Sequence, residues 1–195
     1  KFVTLNNIPV IRRISGGGTV YHDRGNINFS FIVSSATGKQ VDFRKYTAPV
    51  INFLAGEGIH AYFEGKSDLR VNGCKISGNA EHVFRERVLH HGTILFDADI
   101  ASLQGSLRKD RSFYLTRAVD SNPSEVMNLR DITSEFSGSE ELKEHLFSFI
   151  FRQYGNKAGS LTDGAMAQIR SLADSTYRTW RSEEHTSELQ SRQSS

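Results

Sequence analysis

The chain contains one cysteine, Cys74, in 195 residues. That excludes an internal disulfide framework and fits a reducing compartment such as the cytosol. Excess charge is also lacking: 24 lysines and arginines stand against 22 aspartates and glutamates, a formal net charge of +2. A protein whose main business is coating nucleic acid would be far more basic. No run approaches the ~20 apolar residues that a membrane span needs, and the opening residues KFVTLNNIPV lack the charged-then-apolar pattern of a secretory signal. The first residue is Lys1 rather than methionine, so the chain is expected to begin inside a longer protein. No internal repeat is visible. What remains reads as a cytoplasmic protein that binds neither membrane nor nucleic acid, and its 37% hydrophobic content suffices for one domain with a real core.

β-Branched and aromatic residues predict strands over 8–13 (IPVIRR) and 26–34 (NINFSFIVS). From Asp42 to Gly56, Phe43, Tyr46, Thr47, Val50, Ile51 and Leu54 recur at helical spacing, with Pro49 inside as a source of a kink or a later start. HAYFEG and DLRV read as short strands, Asn72-Gly73 as a tight turn into KISGNAEHVF, and 88–96 (VLHHGTILF) as a further strand. SGSEELKEHLFSFIFRQYGN reads as a helix with glutamates in its first turn, Gly155 at its end, and Leu142, Leu146, Phe149 and Ile150 on its apolar face. A last helix is expected from Asp163 to about Tyr177 with Ile169 and Leu172 inward. Residues 104–122 have no clear period and read as a loop. The fold class is α+β, a mixed or antiparallel sheet flanked by helices. The catalytic domain is expected over 1–180, and 181–195 (RSEEHTSELQSRQSS) as a disordered, non-native tail, too polar to order itself.

Three segments carry chemistry. In RRISGGGTVYHD, Arg12 to Asp23, successive glycines let the backbone approach a ligand closely and turn several N–H groups toward one point, which suits phosphate. Arg12 and Arg13 add cations beside it; the alternative is a flexible hairpin with two surface arginines. No Gly-Lys-Ser/Thr follows and a strand rather than a helix comes next, which excludes both the Walker loop and the dinucleotide fingerprint. In NGCKISGNA, Lys75 leaves the turn between Cys74 and Ile76, a setting that suits an ammonium pointing into a cleft, where it stabilises developing charge. The alternative is an edge-strand lysine guarding against aggregation. In LHHGTILF, His90 and His91 face opposite sides of their strand, so they do not form a metal-binding pair. One of them is expected in the core, with Gly92 and Thr93 making room for something bulky. A loose Cys74–histidine pairing is the remaining nucleophilic option, though a lone thiol is more often inert.

In order and spacing, RRISGGGTVYHDRGNINFS, NGCKISGNA and HHGTILF together closely resemble the lipoate-protein ligase family, over about Ile8 to Trp180. The resemblance implies the biotin/lipoate ligase fold and an ATP-dependent enzyme. It would activate lipoate as lipoyl-AMP and transfer the acyl group to a lysine of an acceptor lipoyl domain, in 2-oxoacid dehydrogenase complexes or the glycine cleavage H protein. It implies that Arg13, Gly16, Gly17, Gly18, Thr19, Val20 and Tyr21 contact the nucleotide, with magnesium assisting, and that His22 and Asp23 hold the loop in shape. Lys75, the catalytic residue, would contact both ATP and the lipoyl carboxylate. Arg12, Ser15, Gly73, Ser77, Gly78, His91, Gly92 and Thr93 would bind the acyl substrate. No resident metal site is implied. Members carry a further N-terminal stretch with a strand walling the acyl pocket, and continue past a Tyr-Arg-x-Trp-like segment, so the chain reads as shortened at both ends. Two other readings share the fold: an ATP-independent octanoyl or lipoyl transferase, whose cysteine would fall where this chain has Ala61-Tyr62-Phe63, and a non-catalytic lipoate-binding accessory subunit.

Overall fold

The computed structural model of the protein describes residues 2–34, 41–108, 124–155, 157 and 159–179. The tail at 181–195 and residues 109–122 of the expected loop lie outside these. Five strands form one antiparallel sheet in the order β1-β5-β4-β3-β2: β1 Asn26–Ser34, β2 Tyr62–Glu64, β3 Asp68–Val71, β4 Cys74–Phe84 and β5 Arg87–Leu95. The β3–β4 hairpin turns on Asn72 and Gly73, both at positive φ (50° and 83°), the conformation for which Asn-Gly is chosen.

Strand register gives the sheet two faces. Phe29, Gly92 and Asn79 stand in one row, and Phe31, His90 and Glu81 in another two residues along. This face is packed under two helices, α2 Phe43–Gly56 and α4 Ser139–Tyr154. Asp42 caps α2 by accepting from the Lys45 N–H, and the helix runs through Pro49 from Phe43, so its start is not delayed. Val50, Phe53 and Leu54 from α2, with Leu142 and Leu146 from α4, close over Ile27, Leu69, Ile76 and Ile94. Gly155, in the left-handed conformation, ends α4.

Within this packed layer lies a polar pair that sequence reading left unassigned. His90 is fully buried among the rings of Phe29, Phe31, Phe43 and Tyr46. Its Nδ1 meets Glu81 Oε1 at 2.9 Å, and Glu81 Oε2 accepts the Asp42 N–H, so one buried carboxylate ties β5 to the start of α2. Burial pushes the His90 pKa down more than Glu81 raises it; the imidazole is neutral and donates from Nδ1.

Four expectations are corrected. Residues 8–13 form no strand: Val10 and Ile11 are exposed and among the described residues no strand takes their backbone groups, and β propensity without a partner does not make a strand. The expected loop begins inside a helix, α3 Ile100–Leu107, which Asp99 caps by accepting from Ser102 N–H. The last helix, α5 Asp163–Leu172 with a π turn to Tyr177, leaves Ile169 and Leu172 about half exposed rather than inward, because α5 packs on little but its own continuation. Gly92 does make room, but for the protein itself: a Cβ there would lie 2.1 Å from Asn79 Oδ1 and 2.5 Å from the Phe29 ring. No described helix is long and apolar enough to cross a membrane.

Candidate active site

The opposite, open face of the sheet carries the residues between those rows: Ser30, His91 and Ala80 in one, Ile32, Leu89 and His82 in the next, with Asn28 beside Thr93. Strict alternation would put Lys75 on the other side, with Ser77, Asn79 and Glu81. It does not lie there. Leu69 pairs with Ser77 and the adjacent Arg70 with Lys75, so β4 carries one extra residue, Ile76, in a bulge. The bulge buries Ile76 completely and turns Lys75 onto the open face, where its Nζ lies 3.3 Å from where a Gly78 Cβ would stand. Nζ makes a 2.8 Å ion pair with Asp68, whose strand position is opposite Gly78. Arg70, 3.9 Å from the same carboxylate, also pairs with Glu64 and donates to the carbonyl of Gly73.

The glycine loop reaches this face through His91. Arg13 Nε donates to Ser15 Oγ and to the Gly16 carbonyl, and Nη2 to the carbonyls of Gly16 and Gly18, so the loop is wrapped around one guanidinium. Gly17 has φ 104°, and a Cβ there would meet Arg13 Nη2 at 2.8 Å. Ser15 is buried and its Oγ lies 2.5 Å from His91 Nε2. Burial first, then the charge of Arg13, hold the His91 pKa below its usual value. The consistent proton arrangement has Ser15 accepting from Arg13 and donating to neutral His91. Asp23 fixes the far end of the loop by accepting from the N–H groups of Gly25 and Asp99.

Of the residues singled out from sequence, Lys75, Gly78, His91 and Thr93 share the open face. Ser15 touches it, and Arg13, Gly16, Gly17 and Gly18 form the loop behind Ser15. Arg12, Thr19 and Val20 are exposed, Tyr21 is half-buried, and burial, then the charge of Arg13, hold the His22 pKa below its usual value. Three stand elsewhere: Gly73 in the turn, Ser77 buried on the packed face where its Oγ accepts from Asn79, and Gly92 on that same face. The Cys74–histidine pairing is absent, because Cys74 sits at the turn opposite Val71 while His91 is opposite Ala80, six residues further along β4. Asp68 was not anticipated. Its only sequence signal is the Asn-Gly turn, which folds 68–71 back on 74–78, and the bulge then decides which of these residues meet.

A separable effect follows from the space above Gly78. A Cβ there would press on Lys75 Cε and Nζ at 3.2 and 3.3 Å, atoms at the end of a flexible side chain. Gly78→Ala is therefore expected to fold with a thermal midpoint within about 2 °C of the parent, while the displaced ammonium lowers turnover roughly tenfold. An unaltered rate with unaltered stability would show that the position of Nζ does not matter.

Residues 1–151 match the lipoyl protein ligase A/B catalytic domain. The chain belongs to that family. Family relatives include lipoate-protein ligase 1 of Staphylococcus aureus, 34% identical over 179 residues, and a lipoate-protein ligase of Bacillus subtilis, 36% identical over 185. Both alignments cover 92% of this chain but 55% of the relative, so the chain spans about half the length of the curated relatives it matches. Among solved structures, a bipartite lipoate protein ligase from the archaeon Thermoplasma acidophilum, studied with its E2 lipoyl domain, superposes with a TM-score of 0.76 at 26% identity, over 92% of this chain and 71% of that one. A putative lipoate protein ligase of the same organism with bound lipoic acid gives 0.74 at 25% identity, over 93% and 74%. The α+β sheet with flanking helices is thus the family's fold.

Proposed function

We propose that the protein is an ATP-dependent lipoate ligase working on the open face of the sheet. The observation that carries this reading is the bulge at Ile76, which brings the one lysine of β4 to the face where His91 and Ser15 anchor the glycine loop. In the first step a lipoate carboxylate oxygen attacks the α-phosphorus of ATP and pyrophosphate leaves. In the second, the deprotonated amine of an acceptor lysine attacks the acyl carbonyl and AMP leaves. Both steps gather negative charge, so catalysis is mostly positioning and neutralisation. Lys75 leaves Asp68 to meet the carboxylate and α-phosphate. Arg13 holds the loop so that residues 16–21 present their backbone to the nucleotide. Arg12, His91 and Thr93 border the acyl group. No protein nucleophile is needed, in keeping with the position of Cys74.

Among the described residues no three His, Cys, Asp or Glu side chains gather as a metal site. Magnesium nonetheless fits, since it binds mainly through substrate phosphates with one or two carboxylates, and Asp68 is the carboxylate beside Lys75. The ion would neutralise phosphate charge. The names of the relatives and the lipoyl domain studied with the archaeal ligase support lipoate as substrate and lipoyl domains as acceptors, those of 2-oxoacid dehydrogenase complexes and the glycine cleavage H protein being the proposed ones, in the cytoplasm. The test is lipoate-dependent pyrophosphate release with lipoyl-AMP identified by mass. Acyl transfer to a lipoyl domain without ATP would replace this reading with the transferase.

A further inference from the structure

The open face does not end at Lys75. Gly78, Ala80, His82 and Phe84 alternate along β4 on that side, and the six steps from Gly78 to Phe84 cover about 20 Å. The far end is the β4–β5 hairpin, where Phe84 pairs with Arg87 and Arg85-Glu86 make the two-residue turn. Phe84 is 59% exposed and Ile32, in the row of Leu89 and His82, is 70% exposed. Arg85 lies over the Phe84 ring at 5.2 Å, and Arg87 is exposed.

The turn itself is unusual. The β3–β4 hairpin uses Asn-Gly, which takes positive φ readily, whereas this one places Arg85 at φ 54°. A left-handed arginine is sterically strained, a strain that turn chemistry would avoid and that a surface role explains. An exposed aromatic ring with arginines is the composition of binding hot spots. Two arginines against Glu86 favour a partner bearing carboxylates. The patch is continuous with the reactive face, and a compact domain of ~100 residues has a radius of gyration of about 13 Å, enough to span from Lys75 to the tip.

We infer that the β4–β5 hairpin tip, with Phe84, Arg85 and Arg87 and, across β5 on the same face, Ile32, docks an acidic surface of the lysine-bearing acceptor domain. This rests on the ligase reading. Two variants test it: Arg85→Glu, and Arg85→Asn, which removes one positive charge and takes the left-handed conformation more readily. Pyrophosphate release and capture of the acyl-adenylate by hydroxylamine report on the site without the acceptor; the acceptor's KM, and its Kd by titration, report docking.

Both variants are expected to keep adenylation and hydroxylamine capture within twofold and to raise the acceptor's KM and Kd tenfold or more. Arg85→Asn should melt at or above the parent temperature, and the parent's Kd should weaken as salt rises. An unchanged acceptor KM and Kd in both variants overturns the inference. So does an equal loss in hydroxylamine capture, which would place the tip's effect in the site, or a parent dimer, seen by sedimentation, that Phe84→Ser dissociates. If a form of the protein spanning its relatives' length makes no adenylate, the ligase reading fails, and the acceptor Kd still decides the docking surface.

Discussion

Replacing Lys75 with alanine is expected to lower lipoyl-adenylate formation on the order of a hundredfold or more, the loss of roughly 3 kcal/mol of transition-state stabilisation. The ammonium is the cation that the Ile76 bulge brings to the open face and that Asp68 holds there; on the proposed mechanism anionic substrates compete for it. Lys75→Arg should recover little, because a planar guanidinium does not replace a compact ammonium beside Gly78 and would also be held by Asp68. Cys74→Ser should be near parental. The measurement is pyrophosphate release and lipoyl-AMP yield in a form of the protein that makes the adenylate. Full activity in Lys75→Ala would remove this lysine from the mechanism. Loss confined to Cys74→Ser, without ATP dependence, would point to the transferase.

The largest stability effect is expected at Gly25, which lies between the glycine loop and β1. Its carbonyl accepts the N–H groups of both Phe96 and Asp97, so the chain at 96–98 runs directly against it. A Cβ on residue 25 would stand 2.0 Å from the Asp97 oxygen, 2.2 Å from its carbonyl carbon and 2.5 Å from Ala98 N. These are backbone atoms and cannot rotate away. Ala98 is held besides by Asn128, whose side chain bonds both its N–H and its C=O at 2.9 Å. Gly25→Ala is expected to cost about 3 kcal/mol or more and to lower the thermal midpoint by roughly 6–12 °C. Gly164→Ala, in open space on α5, should leave it in place. A Gly25→Ala midpoint within two degrees of the parent would mean that the two backbones part more easily than their hydrogen bonds imply.

Much of the fold was legible because local chemistry and tertiary packing agree. Asp42 and Gly155 bound α2 and α4 where their capping preferences place them, Asn72-Gly73 makes its turn, and β1 and β5 follow their β-branched runs. The division of His90 from His91 followed from alternation alone. Where the reading failed, the deciding fact was a neighbour distant in sequence. Residues 8–13 have strand composition but, among the described residues, no strand beside them, and Leu172 has helical spacing but little to pack on. In the candidate site, Lys75 stood out from its turn and apolar neighbours, but its face was not legible. One extra residue in β4 reverses every orientation before it, and no composition marks Ile76 as that residue. Asp68 and Glu81 were missed for the same reason, since each is defined by a partner across the sheet.

The chain position of Lys75 is fastened independently of its side chain. Its N–H donates to the Glu125 carbonyl at 2.8 Å and its C=O accepts from Met127 N–H at 3.2 Å, while Arg70 lies opposite on β3. Two clocks therefore run at one residue. The ammonium exchanges Asp68 for another anion by bond rotations that take picoseconds to nanoseconds, whereas moving its Cα requires peeling 125–127 from the strand, a local unfolding event orders of magnitude slower. On the proposed mechanism, substrate capture at this lysine would be a change of rotamer against a fixed support, its speed set by how readily Asp68 lets go.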